Sequence, residues 1–210
     1  MLYDFRLEEV EARILGVLME KRLTTPDHYP LSGNALTNAC NQKSNRSPVM
    51  SLNEQEVLES VEELRDKGFV MKMDGGRVRK YGHLFREKFD LLPREEAVLA
   101  VLLLRGPQTL GEIRTRCERL YHFDQSEEAE KTLEALTGEK RPWTVKLPMQ
   151  PGRKEPRYSH LFLGEPDPEL SYEPEPVAPR SGSLAAEVSE LRQELAQLKE
   201  EFASFRAQFD

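Results

Sequence analysis

Apolar residues recur every three or four positions over residues 7–22, and the same rhythm returns over 95–104. In the first stretch Val10, Ile14, Leu15, Val17 and Leu18 form one stripe with charges opposite, which predicts an amphipathic helix. Acidic residues lead it and Lys21-Arg22 trail it, in keeping with the helix dipole. Thr24 to Pro30 reads as a loop because of its prolines. A short helix is expected from Leu31, with Ser32 as N-cap, Leu36 and Cys40 facing inward, and Asn41 at its end. Residues 41–48, Asn-Gln-Lys-Ser-Asn-Arg-Ser-Pro, have no apolar period. They exceed the roughly 3–4 residues of a tight helix-turn-helix connection. Asn53 then caps a third helix, Glu54 to about Lys67, with Val57, Leu58, Val61 and Leu64 inside and Gly68 as its stop. Phe69–Met73 and Arg77–Tyr81 flank Asp74-Gly75-Gly76, a strong hairpin turn. Three helices followed by a hairpin is the order of a winged-helix domain.

The pattern then repeats. Ile14, Leu15, Val17 and Leu18 match Val98, Leu99, Val101 and Leu102. Thr109 takes the capping position of Ser32, Ile113 that of Leu36 and Cys117 that of Cys40. Ser126 is expected to cap the next helix, with Ala129, Leu133 and Leu136 inside, and Trp143 to Leu147 matches Phe69 to Met73. Lys80-Tyr81-Gly82-His83-Leu84-Phe85 returns 77 residues later as Arg157-Tyr158-Ser159-His160-Leu161-Phe162. A period of this size fits two copies of a small domain rather than solenoid units. The expected fold is mainly α with small β-hairpins, an α+β chain of two tandem winged-helix domains at 1–88 and 89–164. In this reading the repeated Tyr and His close each wing against its helices, and each His stands alone in its copy.

Beyond residue 164 the composition changes. Residues 165–183 are rich in Pro and Glu and read as an extended linker. From 184 to 210 the apolar positions are Leu184, Val188, Leu191, Leu195, Leu198, Phe202, Phe205 and Phe209, in alternating steps of four and three. That is a heptad seam. Glu187, Glu194 and Glu201 fall at g, and Arg192, Lys199 and Arg206 at e. Opposite charges meet in a parallel pair and like charges in an antiparallel one, so the pattern predicts a parallel homo-oligomer, most simply a homodimer. Trimerisation, or docking of a single helix on the chain's own domains, is the alternative.

The net charge of −7 belongs to the tail: residues 166–210 carry 4 basic and 10 acidic groups, whereas 1–165 is nearly balanced. The low pI therefore leaves room for a nucleic-acid surface on the domains, but not for a basic globule that coats DNA by charge alone. No apolar run reaches membrane-span length, and the first residues lack the basic start and apolar core of a secretory signal, so the cytoplasm is expected. Cys40 and Cys117, also 77 apart, read as equivalent buried residues rather than a disulfide framework or a zinc site. No glycine-rich phosphate loop, metal-spaced cluster or nucleophile–base pair is visible, which argues against an enzyme and implies no cofactor.

For DNA binding speak Asn41, Gln42, Lys43, Asn45 and Arg46 in the connecting loop, residue types suited to phosphates and base edges. Arg77, Arg79 and Lys80 make the first wing basic, Arg153, Lys154 and Arg157 the second, and Arg114, Arg116 and Arg119 charge the second short helix. Against it stands the third helix, with Glu54, Glu56, Glu59, Glu62, Glu63 and Asp66, echoed by Glu127, Glu128, Glu130 and Glu134 in the second copy. Such a helix is repelled by phosphates. Any DNA contact would be led by the wings and the 41–48 loop. The competing reading is an adaptor that binds a protein partner through these acidic faces.

Asn41 to Val49, preceded by Leu36-Thr-Asn-Ala-Cys40 and accompanied by the tandem Tyr-x-His-Leu-Phe endings, resembles the YceH-like family of bacterial proteins over roughly Leu7 to Phe162. Ser47 departs from the Asp of that pattern. The resemblance implies tandem winged helices and a bacterial cytosolic setting, and it supplies no substrate. In architecture alone the chain is similar to the segregation and condensation protein B group, whose winged helices bind protein partners.

Overall fold

The computed structural model describes residues 5–74, 78–138, 142–150 and 152–166, all within one compact unit. The expected hairpin glycines, Arg77, the linker from 167 onward and the heptad segment 184–210 lie outside the described residues.

The first half contains α1 (Glu9–Thr24), a single 3-10 turn at Pro26–His28, β1 (Leu31–Ser32), α2 (Gly33–Cys40), α3 (Glu54–Asp66), β2 (Val70–Met73) and β3 (Lys80–His83). A short α4 (Phe85–Phe89) leads into the second half. There follow α5 (Pro93–Arg105), β4 (Gln108–Thr109), α6 (Leu110–Cys117), α7 (Ser126–Thr137), β5 (Thr144–Lys146) and β6 (Arg157–His160). Each half has a small antiparallel sheet, ordered β1-β3-β2 and β4-β6-β5, so the repeat seen in the sequence is a repeat of topology. Registers agree as well: Val70 lies opposite His83, and Thr144 opposite His160.

Local chemistry explains the helix starts. Ser32 Oγ accepts from the Ala35 N–H at 3.3 Å. Asn53 and Glu56 cap each other reciprocally, at 3.0 and 2.7 Å, as do Thr109 and Glu112 at 3.2 and 2.9 Å. Gly68 ends the α3 segment at φ 71°, a conformation open to glycine without strain.

Three expectations need correction. Leu31 and Ser32 pair with Tyr81 and Lys80 as a strand, and the helix begins only at Gly33. Two residues are too few to show a period of two, so the pattern could not reveal β1, nor β4 in the second copy. Ser126 is the first residue of α7 rather than its cap; Gln125 holds that place and its side chain makes no capping bond. The second returning strand, expected to hold Arg157 to Phe162, stops at His160, the first runs past Tyr81 to His83, and Phe85 opens α4, an element too short for periodicity to announce.

The two halves share one core. α1 packs on α5, and Gly16 allows the close approach: a Cβ there would lie 2.9 Å from Leu103 Cβ. Beside this seam, Phe85 and Phe89 of α4 lie 5.6 and 5.1 Å from the Trp143 ring, and Phe5 stacks on Phe162 at 6.0 Å. The Leu7 N–H donates to the Phe162 carbonyl at 2.8 Å. Cys40 and Cys117 are fully enclosed, and burial pushes both thiols up to about 12, which leaves them inert.

Candidate interaction surfaces

The 41–53 connection follows α2 directly, and the structure turns most of it inward. Arg46 is only 4% exposed. Its guanidinium reaches Glu20 at 2.7 and 3.1 Å, Gln42 Oε1 at 2.8 Å, and the carbonyls of Ala39 and Asn45 at 3.1 and 2.9 Å. Burial opposes ionisation of Glu20, but the hydrogen bonds and charge of Arg46 outweigh it and hold the carboxyl below its usual range. Asn41 clamps the far end of the loop, donating to the Leu52 carbonyl at 2.7 Å and accepting from the Leu52 N–H at 2.8 Å. Asn45 accepts from Arg105. Buried Arg13 donates to the carbonyls of Pro48, at 2.6 Å, and Cys40, at 3.3 Å.

Arg46 is therefore a tether between α1 and the loop, not a hand extended to phosphate. Asn41 and Gln42 likewise hold the loop's own shape, and Asn45 ties it to Arg105 of α5. Lys43 is exposed and is the one cation of residues 41–48 that faces solvent. The partners Arg13 and Glu20 escaped the sequence reading. They sit on the helical face whose charges look solvated by periodicity, and their contacts span 26 to 35 residues.

The described ends of the β2–β3 and β5–β6 connections are accessible. Arg79 and Lys80 are exposed on the first, Arg79 lying 3.5 Å from Asp74. Arg153 and Lys154 are exposed on the second. Exposed Met73 and Val78 accompany the first pair and Met149 the second. On α6, Arg114 is exposed, whereas Arg116 is half-buried and donates to Gln108. These cations are spread over two sheets and a helix.

The outward face of α3 is the most uniform surface. Glu54, Gln55, Glu56, Glu59, Glu62, Glu63 and Asp66 are all exposed. Half-buried Leu58 floors a shallow open hollow rimmed by Glu54, Gln55, Glu59 and Glu62. Arg65, also half-buried, pairs back onto Glu62. α7 carries exposed Glu127, Glu130 and Glu134 around Lys131, while Glu128 accepts from the Tyr121 hydroxyl at 2.7 Å.

The repeated histidines are both buried but differ. His83 Nε2 lies 2.9 Å from Glu96 Oε1, both side chains fully enclosed, with the ring turned off good hydrogen-bond geometry. Arg86 approaches the other Glu96 oxygen at 3.3 Å. Among the described residues of its own copy His83 stands alone, in line with the sequence, and its partner comes from the other repeat, where no local pattern could show it. His160 has no such carboxylate, and burial pushes it down to about 4, so it is neutral. Among the described residues no group of three His, Cys, Asp or Glu side chains could hold a metal ion, and no helix is long and apolar enough to cross a membrane.

Comparison with known proteins agrees over most of the chain. Residues 7–153 match a family described as "Protein of unknown function, DUF480". A UPF0502 protein of Geotalea daltonii is 53% identical over 178 residues, covering 84% of this chain and 82% of that protein. One from Geobacter sulfurreducens is 46% identical over 220 residues, covering 99% and 100%. One from Solibacter usitatus is 46% identical over 199 residues, covering 90% and 95%. With a core, caps and repeat that run through the matched region, the chain belongs to this DUF480 (UPF0502) family of bacterial proteins.

Proposed function

We propose that this chain is a non-enzymatic cytoplasmic adaptor, built from two tandem winged-helix domains and paired with a second copy through its C-terminal heptads. It binds a basic protein partner through α3, with the acidic face of α7 as a second contact. The observation that carries this reading is the outward face of α3. In a winged helix this is the element that enters the major groove when DNA is the ligand. Here it presents six exposed carboxylates, and of the two cations in the preceding loop Arg46 is committed inward while Lys43 faces solvent. Such a face is repelled by phosphate and complements a basic polypeptide, with Leu58 as an apolar floor for one anchoring side chain.

Site-specific photo-crosslinking in living cells tests the reading. A photoreactive residue at position 59 should give protein adducts that survive nuclease and weaken when Glu54 and Glu62 are reversed to Lys. Nuclease-sensitive adducts at 59, or protein adducts from position 80 alone, would overturn it.

A second reading, DNA contact led by the wings, is favoured by exposed Arg79, Lys80, Arg153 and Lys154, and by the exposure of Arg114 and Lys43. It expects affinity for random duplex DNA that falls steeply with salt. Lys80→Ala with Lys154→Ala should then flatten the salt slope by about one counterion for each phosphate no longer neutralised. No binding at low salt removes it.

A further inference from the structure

The helix α5 belongs to the second repeat, yet the first repeat grips it at both ends. At its C-terminal end the Leu104 carbonyl, which has no partner inside the helix, accepts from the Ser47 N–H at 2.8 Å, and Arg105 donates to Asn45. At its N-terminal end Glu96 meets His83 of β3 at 2.9 Å and Arg86 of α4 at 3.3 Å. Arg22 and Glu87, paired at 2.6 Å, lie beyond that group, and the Tyr29 hydroxyl accepts from the His83 N–H at 2.6 Å. Between the two ends the contact is apolar, Gly16 against Leu103 and Leu104, with the aromatic rings of α4 and Trp143 alongside.

A buried polar pair adds little net stability to such an apolar seam, because desolvation offsets the attraction. What such a pair adds is direction: Glu96 lies against His83 and Arg86 in this arrangement, and in any other it would be buried without either neighbour. The second repeat has no copy of the pair. The residue matching Glu96 in α1 is Ala12, and His160 stands neutral.

We propose that the His83–Glu96–Arg86 group, with the 41–53 loop at the opposite end of α5, is a register clamp. It fixes one geometry between the repeats, so that α3 and α7 act as a single two-part surface at a set separation. The clamp is independent of what those surfaces bind.

The test is a pulsed dipolar distance measurement on the full chain, spin-labelled at Gln55→Cys on α3 and Lys131→Cys on α7 and diluted into unlabelled chain. Cys40 and Cys117 are buried and inert. Wild-type background should give one narrow distance. His83→Leu with Glu96→Leu should melt at or above the wild-type midpoint and yet broaden or split the distribution, a combination that a merely stabilising pair would not produce. Asn45→Gly, which removes the Asn45 acceptor that Arg105 donates to and suits the φ of 61° at that residue, should broaden it too. A broad wild-type distribution overturns the clamp, as does a narrow one in folded clamp variants. If the double variant does not fold, His83→Gln alone decides by the same criterion.

Discussion

His160 is enclosed beside Phe162, with its Nδ1 unpartnered and its ring neutral because burial pushes its pKa down to about 4. The unfolded chain returns it to an ordinary value near 6.5. Between those values the unfolded state binds more protons, so stability is fully present above about 6.5 and falls as the pH drops toward 4. The difference corresponds to about 3 kcal/mol. Urea unfolding at pH 7 and pH 4.5 should show the larger part of this loss, and His160→Leu should remove most of that slope. An unchanged slope in the variant would place the acid sensitivity elsewhere. The side chains of Arg46 and Arg13 teach a related lesson. A cation in a polar stretch reads as a surface group, and only a carboxylate or carbonyl brought in from another element makes it an interior one.

Among the elements, α1 and α5 are the pair on which the rest is hung, and Gly16 sets their spacing. Alanine favours a helix over glycine by about 1 kcal/mol. Here its Cβ would meet Leu103 Cβ at 2.9 Å and Leu104 Cγ at 3.0 Å, and overpacking costs roughly 1–3 kcal/mol. Gly16→Ala should therefore destabilise the chain, with Trp143 fluorescence reporting the loosened junction in the same denaturant titration. A gain in stability would mean that the two helices separate without penalty. The helices themselves were legible because their stripes and reciprocal caps are local. β1, β4 and α4 were not, being shorter than any period they could display.

For the whole molecule, the repeat visible in Tyr81, His83, Tyr158 and His160 is a repeat of topology wrapped around a shared core. The heptad pattern at 184–210 carries, from sequence alone, the proposal of a further level in which two copies associate. Removal of residues 184–210 should reduce the mass measured by light scattering to that of one chain. An unchanged mass state would assign association to the folded repeats instead. The acidic faces of α3 and α7 acquire meaning at this scale, because a partner that touches both must match the spacing imposed at α5.

The chain's own order of residues determined the helices, the hairpin strands, the duplication, the buried cysteines and the acidic character of α3. Each follows from periodicity, capping or composition within a few turns of chain. Tertiary structure alone decided which polar residues of 41–48 face solvent, that His83 meets a carboxylate and His160 does not, and that the repeats share one core. These depend on atoms distant in sequence, and burial gives a charge its energetic weight only once its neighbours are in place.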